Sequence, residues 1–448
     1  MRSLLKYSDN KKTLFWILIL FFLIGRSAVA QKLHSLEEVI QITLEENYGI
    51  KVARNEVSIT ENNFHPGMAG LLPTLNVNGN YQYSRNNTTQ QFVGQESNEI
   101  TGAINTSYGS SVDLGYTLFD GLANINSYKK LKSTLGMVNA QTRANIELTI
   151  MDVIAAYYSL ARAQENYRIA SEALEISNER LQRALGQIQF GQSTRRNYLN
   201  VKVNYNTDSA SLVTANLSRE RSKNDLIFLL GGNVEDMVVS TSANLRETLE
   251  FDFLKEESLT KNNNIIAGQY RKLNAEYDVK LANAIQMPRV MANASYGYNK
   301  LNNDAGFLIS NQTTGLSAGV SVSLNIFDGR KKQIDRHNSK IALDNQNIRY
   351  QELVKETERN FKNAYAAYEN NITLLSIEEN SLITAQQNFE TTQEQNRFGT
   401  VTSTEFREAQ LNLINAQFRI TDAKFIAKVA EFEVLRVAGL LLDSIIID

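Results

Sequence analysis

Two stretches of the chain alternate strictly between apolar and polar positions. Leu75, Val77, Gly79, Tyr81 and Tyr83 are separated by Asn76, Asn78, Asn80 and Gln82. A period of two predicts a strand with one greasy and one wet face. The pattern returns as Val290, Ala292, Ala294, Tyr296 and Tyr298, with Met291 interrupting its polar side. Partner strands follow each: Val112, Leu114, Tyr116 and Leu118 interleaved with Asp113 and Thr117, then Val320, Val322, Leu324 and Ile326 interleaved with Ser321, Ser323 and Asn325. Beyond each pair the period changes. No Pro occurs between Gly121 and Gln189 or between Gly329 and Arg397, which predicts helices close to 70 residues, about 100 Å at roughly 1.5 Å per residue. In the first, Ile146, Val153, Leu160, Tyr167, Leu174 and Leu181 form a seven-spaced large column. Beside it runs a small one, Thr149, Ala156, Ala163, Ala170, Ser177 and Ala184. Such columns let helices approach with knobs entering holes. The second helix keeps the large column as Val354, Phe361, Tyr368, Leu375, Leu382 and Phe389, while Asn371 and Glu378 interrupt the small one. After Phe190-Gly191 and Phe398-Gly399 antiparallel helices return.

These elements are two copies of one unit. Leu118-Phe119-Asp120-Gly121 recurs as Ile326-Phe327-Asp328-Gly329, Ala156-Tyr157 as Ala364-Tyr365, Phe190-Gly191 as Phe398-Gly399 and Gly231 as Gly439, all 208 residues apart. Upstream the offset is 215: Leu72-Pro73 becomes Met287-Pro288, and Asn47 with Ile50 becomes Asn262 with Ile265. A constant period over this length signals duplication of a structural unit. The expected organisation is a signal segment 1–30, a first repeat 31–232 with strand pair 74–83 and 111–119, an equatorial-type insertion 233–255, a second repeat 256–439 with strand pair 289–298 and 319–327, and a tail 440–448. The segments Ser84 to Ser110 and Asn299 to Ala318, rich in Asn, Thr, Gly and Ser, read as exterior loops.

Composition narrows the function. Arg2, Lys6, Lys11 and Lys12, the apolar run Leu14 to Ile24 and the small residues Ala28-Val29-Ala30 have the form of an export signal cleaved before Gln31. With no Cys, a lipid anchor on Cys and a disulfide framework are both excluded. Net charge of -2 offers no footprint for nucleic acid. His34, His65 and His337 lack ligand spacing, and neither a Gly-x-Ser-x-Gly elbow nor a phosphate loop is present. No enzyme, metal or cofactor is expected, so any energy for transport comes from another protein. The alternating strands fit either hairpins on a soluble core or a transmembrane barrel with lipid-facing and lumen-facing residues. Four strands fall short of the roughly eight at which single-chain barrels begin, so a barrel requires an oligomer. The competing class is a non-transporting envelope coiled coil or adhesin.

The residues resemble the TolC family of outer-membrane efflux proteins, from Leu36-Glu37-Glu38-Val39-Ile40 and Asn47, through Leu72-Pro73-Thr74-Leu75 and the Phe-Asp-Gly and Phe-Gly pairs, to their second-copy counterparts. The resemblance implies a predominantly α fold with a membrane β-barrel sector: a homotrimer of twelve strands continued by a periplasmic α-helical tunnel. It implies, as partners, outer-membrane lipid, a periplasmic adaptor protein and an inner-membrane RND-type pump or ABC exporter. Glu405 and Glu408 match the acidic positions of the family's periplasmic gate, with Glu where aspartates are usual; repulsion around a ring of them should raise some carboxylate pKa values. Val401 replaces an Arg common in the family, and Asn197 and Asn200 occupy the first-copy equivalents of the two Glu. The helical tip turns are then Phe190, Gly191, Phe398 and Gly399, and the strand-to-helix junctions Phe119, Asp120, Gly121, Phe327, Asp328 and Gly329. Arg195 and Arg196 are candidate adaptor contacts. Arg330, Lys331 and Lys332 would leave the membrane at its interface.

Overall fold

The computed structural model describes residues 33–91, 93–94, 96–232, 237–246, 249–305 and 308–446. The signal segment lies outside them. In chain order the elements are β1 (Leu33–His34), α1 (Leu36–Glu46), α2 (Tyr48–Asn63), β2 (Thr74–Gln90), β3 (Asn98–Phe119), α3 (Ala123–Gln189), α4 (Arg195–Leu229), β4 (Val238–Val239), α5 (Phe251–Thr260), α6 (Asn263–Ala284), β5 (Arg289–Asn303), β6 (Ser310–Ser323), α7 (Lys331–Arg397), α8 (Ser403–Val437) and α9 (Leu441–Ile446). α3 and α7 are each 67 residues long. The chain falls into two compact units, and both draw on both repeats. Among the described residues, one comprises those within 33–47, 152–245 and 371–429; the other those within 48–151, 246–370 and 430–446.

The second unit holds an antiparallel sheet in the order β2-β3-β5-β6. Its central pairing joins the copies, with Val112 opposite Tyr296 and Asp113 opposite Ser295. The strands outrun the alternation that predicts them. Residues 84–90 and 98–110, expected as loop, lie in β2 and β3, and Asn299 to Asn303 and Ser310 to Ala318 lie in β5 and β6, while β6 stops at Ser323 rather than 327. Ladder hydrogen bonds need no apolar side chains. Where both faces meet water, the hydrophobic contrast that marks a strand disappears.

The duplicated residues are structural joints. Asn47 Nδ2 donates to Leu229 O at 2.8 Å, and Asn262 Nδ2 donates to Val437 O at 2.9 Å, so each Asn satisfies a carbonyl at the end of a returning helix. One step on, Gly231 and Gly439 sit at φ +87 and +75. A Cβ there would lie 2.8 Å from Glu46 O and 2.6 Å from Lys261 C respectively, so only glycine fits. Asp120 Oδ2 accepts from Asn124 N at 2.9 Å and Asp328 Oδ2 from Lys332 N at 3.1 Å, which starts each long helix. Tyr157 donates its hydroxyl to His34 O at 3.1 Å and accepts from Ser240 N at 3.2 Å. Its counterpart Tyr365 donates to Leu249 O at 2.8 Å. Each tyrosine thereby ties its long helix to the segment between the repeats. In the first unit β4 of that segment also pairs in parallel with β1.

Helix burial is wider than the heptad columns. Ile150, Ile154, Tyr157 and Ala161, at three-four spacing, are all buried, together with Ala163, Ala170, Ser177 and Ala184 of the small column. In α7, Glu378 of the broken small column meets Arg419 of α8 at 2.9 Å. Arg419 is half exposed, so this pair contributes little beyond replacing a lost small residue.

Candidate functional site

Two surfaces, one in each unit, carry the chemistry. In the first unit the tip turns have matching hydrogen bonds: Gly191 N to Ile188 O and Gln192 N to Gln187 O, then Gly399 N to Asn396 O and Thr400 N to Gln395 O. Gly191 and Gly399 adopt φ +69 and +74, the left-handed helix stop that glycine provides without strain. Phe190 and Phe398 are 79% and 83% exposed, so each turn presents an unburied ring. Arg195 and Arg196, also exposed, occupy the first turn of α4 behind the Thr194 cap. A helix N-terminus disfavours cations there. Helix stability therefore does not explain the pair.

Glu405 proves to be part of a capping box. Its carboxylate accepts from Thr402 N at 2.7 Å and from Thr402 Oγ1 at 2.8 Å, while Glu405 N donates to Thr402 Oγ1 at 3.2 Å. These bonds hold its pKa below the usual glutamate value; the rise expected from ring repulsion belongs to carboxylates of neighbouring copies. Within one chain no second carboxylate overrides them. The signal was legible as Thr402-Ser403-Thr404-Glu405, the Ser/Thr-x-x-Glu spacing of a helix start. Glu408 is exposed one turn on.

Sequence reasoning missed a buried ionic cluster nearby. Arg407 of α8 donates both Nη atoms to Asp208 of α4 at 2.7 Å each. Ser177 of α3 donates to the same carboxylate, and Gln410 accepts from Arg407 at 3.0 Å. Beside them Arg180 donates to Ser403 O and Oγ at 3.1 and 2.8 Å and lies 4.6 Å over the Phe406 ring. Burial, then the neighbouring charge of Arg407, pushes the Arg180 guanidinium down to about 10. No spacing in the sequence pairs 208 with 407.

In the second unit the sheet separates its chemistry by face. Leu75, Val77, Leu114, Tyr296, Leu316 and Val320 are exposed on one side. Four directly opposed residues, Asn76, Asp113, Ser295 and Ser317, cross the other. Phe119-Asp120-Gly121 and Phe327-Asp328-Gly329 close the sheet into α3 and α7; Gly121, Leu122, Gly329 and Arg330 all take positive φ, from +69 to +74. Lys332 Nζ donates to Asn325 O at 3.0 Å. Among the described residues no cluster fit for a metal ion occurs, and no helix is long and apolar enough to cross a membrane.

A sheet with one apolar and one polar face, feeding helices of 67 residues, has the form of a membrane-channel protein. The family model described as outer membrane efflux protein matches residues 39–232 and 254–439. Outer membrane efflux protein BepC of Brucella suis is 20% identical over 391 residues, 87% of this chain and 80% of that protein. Outer membrane protein TolC of Vibrio cholerae is 20% identical over 392 residues, 85% of each chain. The crystal structure of the Campylobacter jejuni CmeC outer membrane channel superposes with TM-score 0.74 at 18% identity, covering 91% of this chain and 86% of that one. The chain belongs to the outer membrane efflux protein family. It is an outer-membrane channel protein of TolC-like fold, with its helical tunnel in the periplasm.

Proposed function

We propose that three copies of this chain form a passive exit duct for a tripartite efflux pump or a type I secretion system. The observation that carries this reading is the sheet's two open edges: among the described residues β2, 17 residues long, pairs only with β3, and β6, 14 residues long, only with β5. Unpaired N–H and C=O groups cost several kcal/mol each in hydrocarbon, so a spanning sheet must close. Joining β6 of one copy to β2 of the next is a head-to-tail contact that generates a ring. Two copies would give about eight strands, an interior just wide enough to be filled by its own side chains. Three give twelve and leave a lumen. The chain has no cysteine, which makes a direct test available. With Val77→Cys in β2 and a series of cysteines along β6, oxidation in the outer membrane is expected to yield covalent trimers at one register. Monomer at every register would overturn the assembly.

Glu405 and Glu408 are the proposed periplasmic gate, Arg195 and Arg196 the proposed contacts for an acidic adaptor surface, and an RND-type pump or ABC exporter the energy source. The exposed tip rings and the unexplained cations at the start of α4 support a docking role for the tips. Replacing both glutamates by glutamine is expected to weaken cation block and change single-channel conductance in planar bilayers. Thr402→Ala serves as the control, since it removes the cap and keeps both charges. Equal effects from the control and the double variant would reduce Glu405 to a helix cap.

A further inference from the structure

Asp113 sets the charge selectivity of the barrel lumen. We infer this from the sheet alone, and the inference rests on the closed-ring reading above. The four strands carry five charged residues: Arg85, Glu99, Asp113, Arg289 and Lys300. Register assigns their faces. Arg85 is opposite Ile104 in the rows of Tyr81 and Tyr83, Lys300 is opposite Tyr108, and Glu99, beyond the bulge near Asn86, is opposite Thr89 on that same side. The polar face keeps only Asp113 and Arg289.

These two do not cancel. Asp113 is opposite Ser295, six residues along β5 from Arg289, or about 20 Å at roughly 3.3 Å per residue. That exceeds the screening length of about 8 Å at physiological salt. Arg289 instead donates to Thr117 at 3.5 Å. Among the described residues every donor around Asp113 is neutral: Asn78 Nδ2 at 2.6 Å, Ser111 Oγ at 2.8 Å and the Ser295 hydroxyl. Neutral donors fix the carboxylate in place without removing its charge. The arrangement is a held, uncompensated anion.

The surroundings keep that anion open to the lumen. An open depression of about 550 Å³ spans the polar face here, lined by Thr74, Asn76, Asp113, Asn293, Ser295 and Ser317. Gly319 and Gly315 stand on this face, and a Cβ at either would meet nothing within 4 Å. Glycine at these two positions leaves the polar face of β6 without a side chain there. A fixed charge in a low-dielectric-walled passage concentrates counter-ions and excludes co-ions. Three copies make a ring of three carboxylates distinct from the glutamates near the helical tips.

The test is a reversal-potential measurement on the full-length protein in planar bilayers under a KCl gradient. Asp113→Asn keeps the shape and loses the charge, and the cation-over-anion permeability ratio should fall toward that of the free ions. Asn293→Asp adds a carboxylate to the same depression, and the ratio should rise, which keeps the test decisive should the first variant assemble poorly. Wild-type conductance with reversal potentials unmoved in both variants overturns the role of Asp113 and leaves the duct standing. No conductance from the wild type overturns the duct and this inference with it.

Discussion

Replacing Asp208 by alanine is expected to cost the first unit about 3–5 kcal/mol, the range for removing one partner of a buried ion pair. Asp208 is only 6% exposed and, among the described residues, is the sole carboxylate in hydrogen-bond contact with Arg407, with Arg180 beside it. Its loss leaves two buried guanidinium groups facing each other and the Ser177 hydroxyl without its acceptor. Replacing the whole pair, Asp208→Leu with Arg407→Met, should cost much less, because both desolvated charges leave together. Denaturant unfolding followed by far-ultraviolet circular dichroism would read this out. Equal losses from the single and double variants would mean that the pair is not the source of the cost.

Glu147→Gln should abolish a pH dependence of stability in the second unit. Glu147 is buried and accepts from Asn263 Nδ2 at 2.9 Å. Burial pushes its carboxyl up to about 7 from 4.5, against the Asn263 bond and the charges of Arg436 and Arg143, with Asp443 adding to the rise. A carboxyl with a raised folded pKa binds its proton more tightly when folded. Its contribution is therefore fully present below pH 4.5 and is lost as pH rises through about 7. At about 1.4 kcal/mol per pKa unit the swing is about 2–3 kcal/mol after allowance for residual solvent. Wild type should lose that much between pH 4.5 and pH 8.5, whereas the glutamine variant stays level and is the more stable of the two at pH 8.5. An undiminished slope in Glu147→Gln would assign the dependence to other groups.

The repeat was legible because its residues perform backbone tasks. Asn47 and Asn262 satisfy helix-end carbonyls, Gly231 and Gly439 pass where a Cβ would collide, and Asp120 and Asp328 start helices. Such tasks admit few residue types, so two copies that diverged elsewhere kept them in register. The Glu405 cap was legible too, in the spacing from Thr402 to Glu405. The outer parts of β2, β3, β5 and β6 were not legible, since strands wet on both sides show no alternation.

The sequence by itself determined the duplicated elements, the lengths of the two long helices and the two-faced character of the inner part of each strand. Those properties follow from local periodicity and from backbone positions that tolerate only Asn, Asp or Gly. Only the tertiary structure decided that Asp208 meets Arg407, that Glu147 is buried against Asn263, and that Asp113 faces neutral donors far from Arg289. Most of these contacts join residues far apart in the chain, up to the 199 positions between Asp208 and Arg407. A charge carries no mark of its partner until packing has chosen one, and the cost or use of that charge depends on the partner and on the water excluded around it.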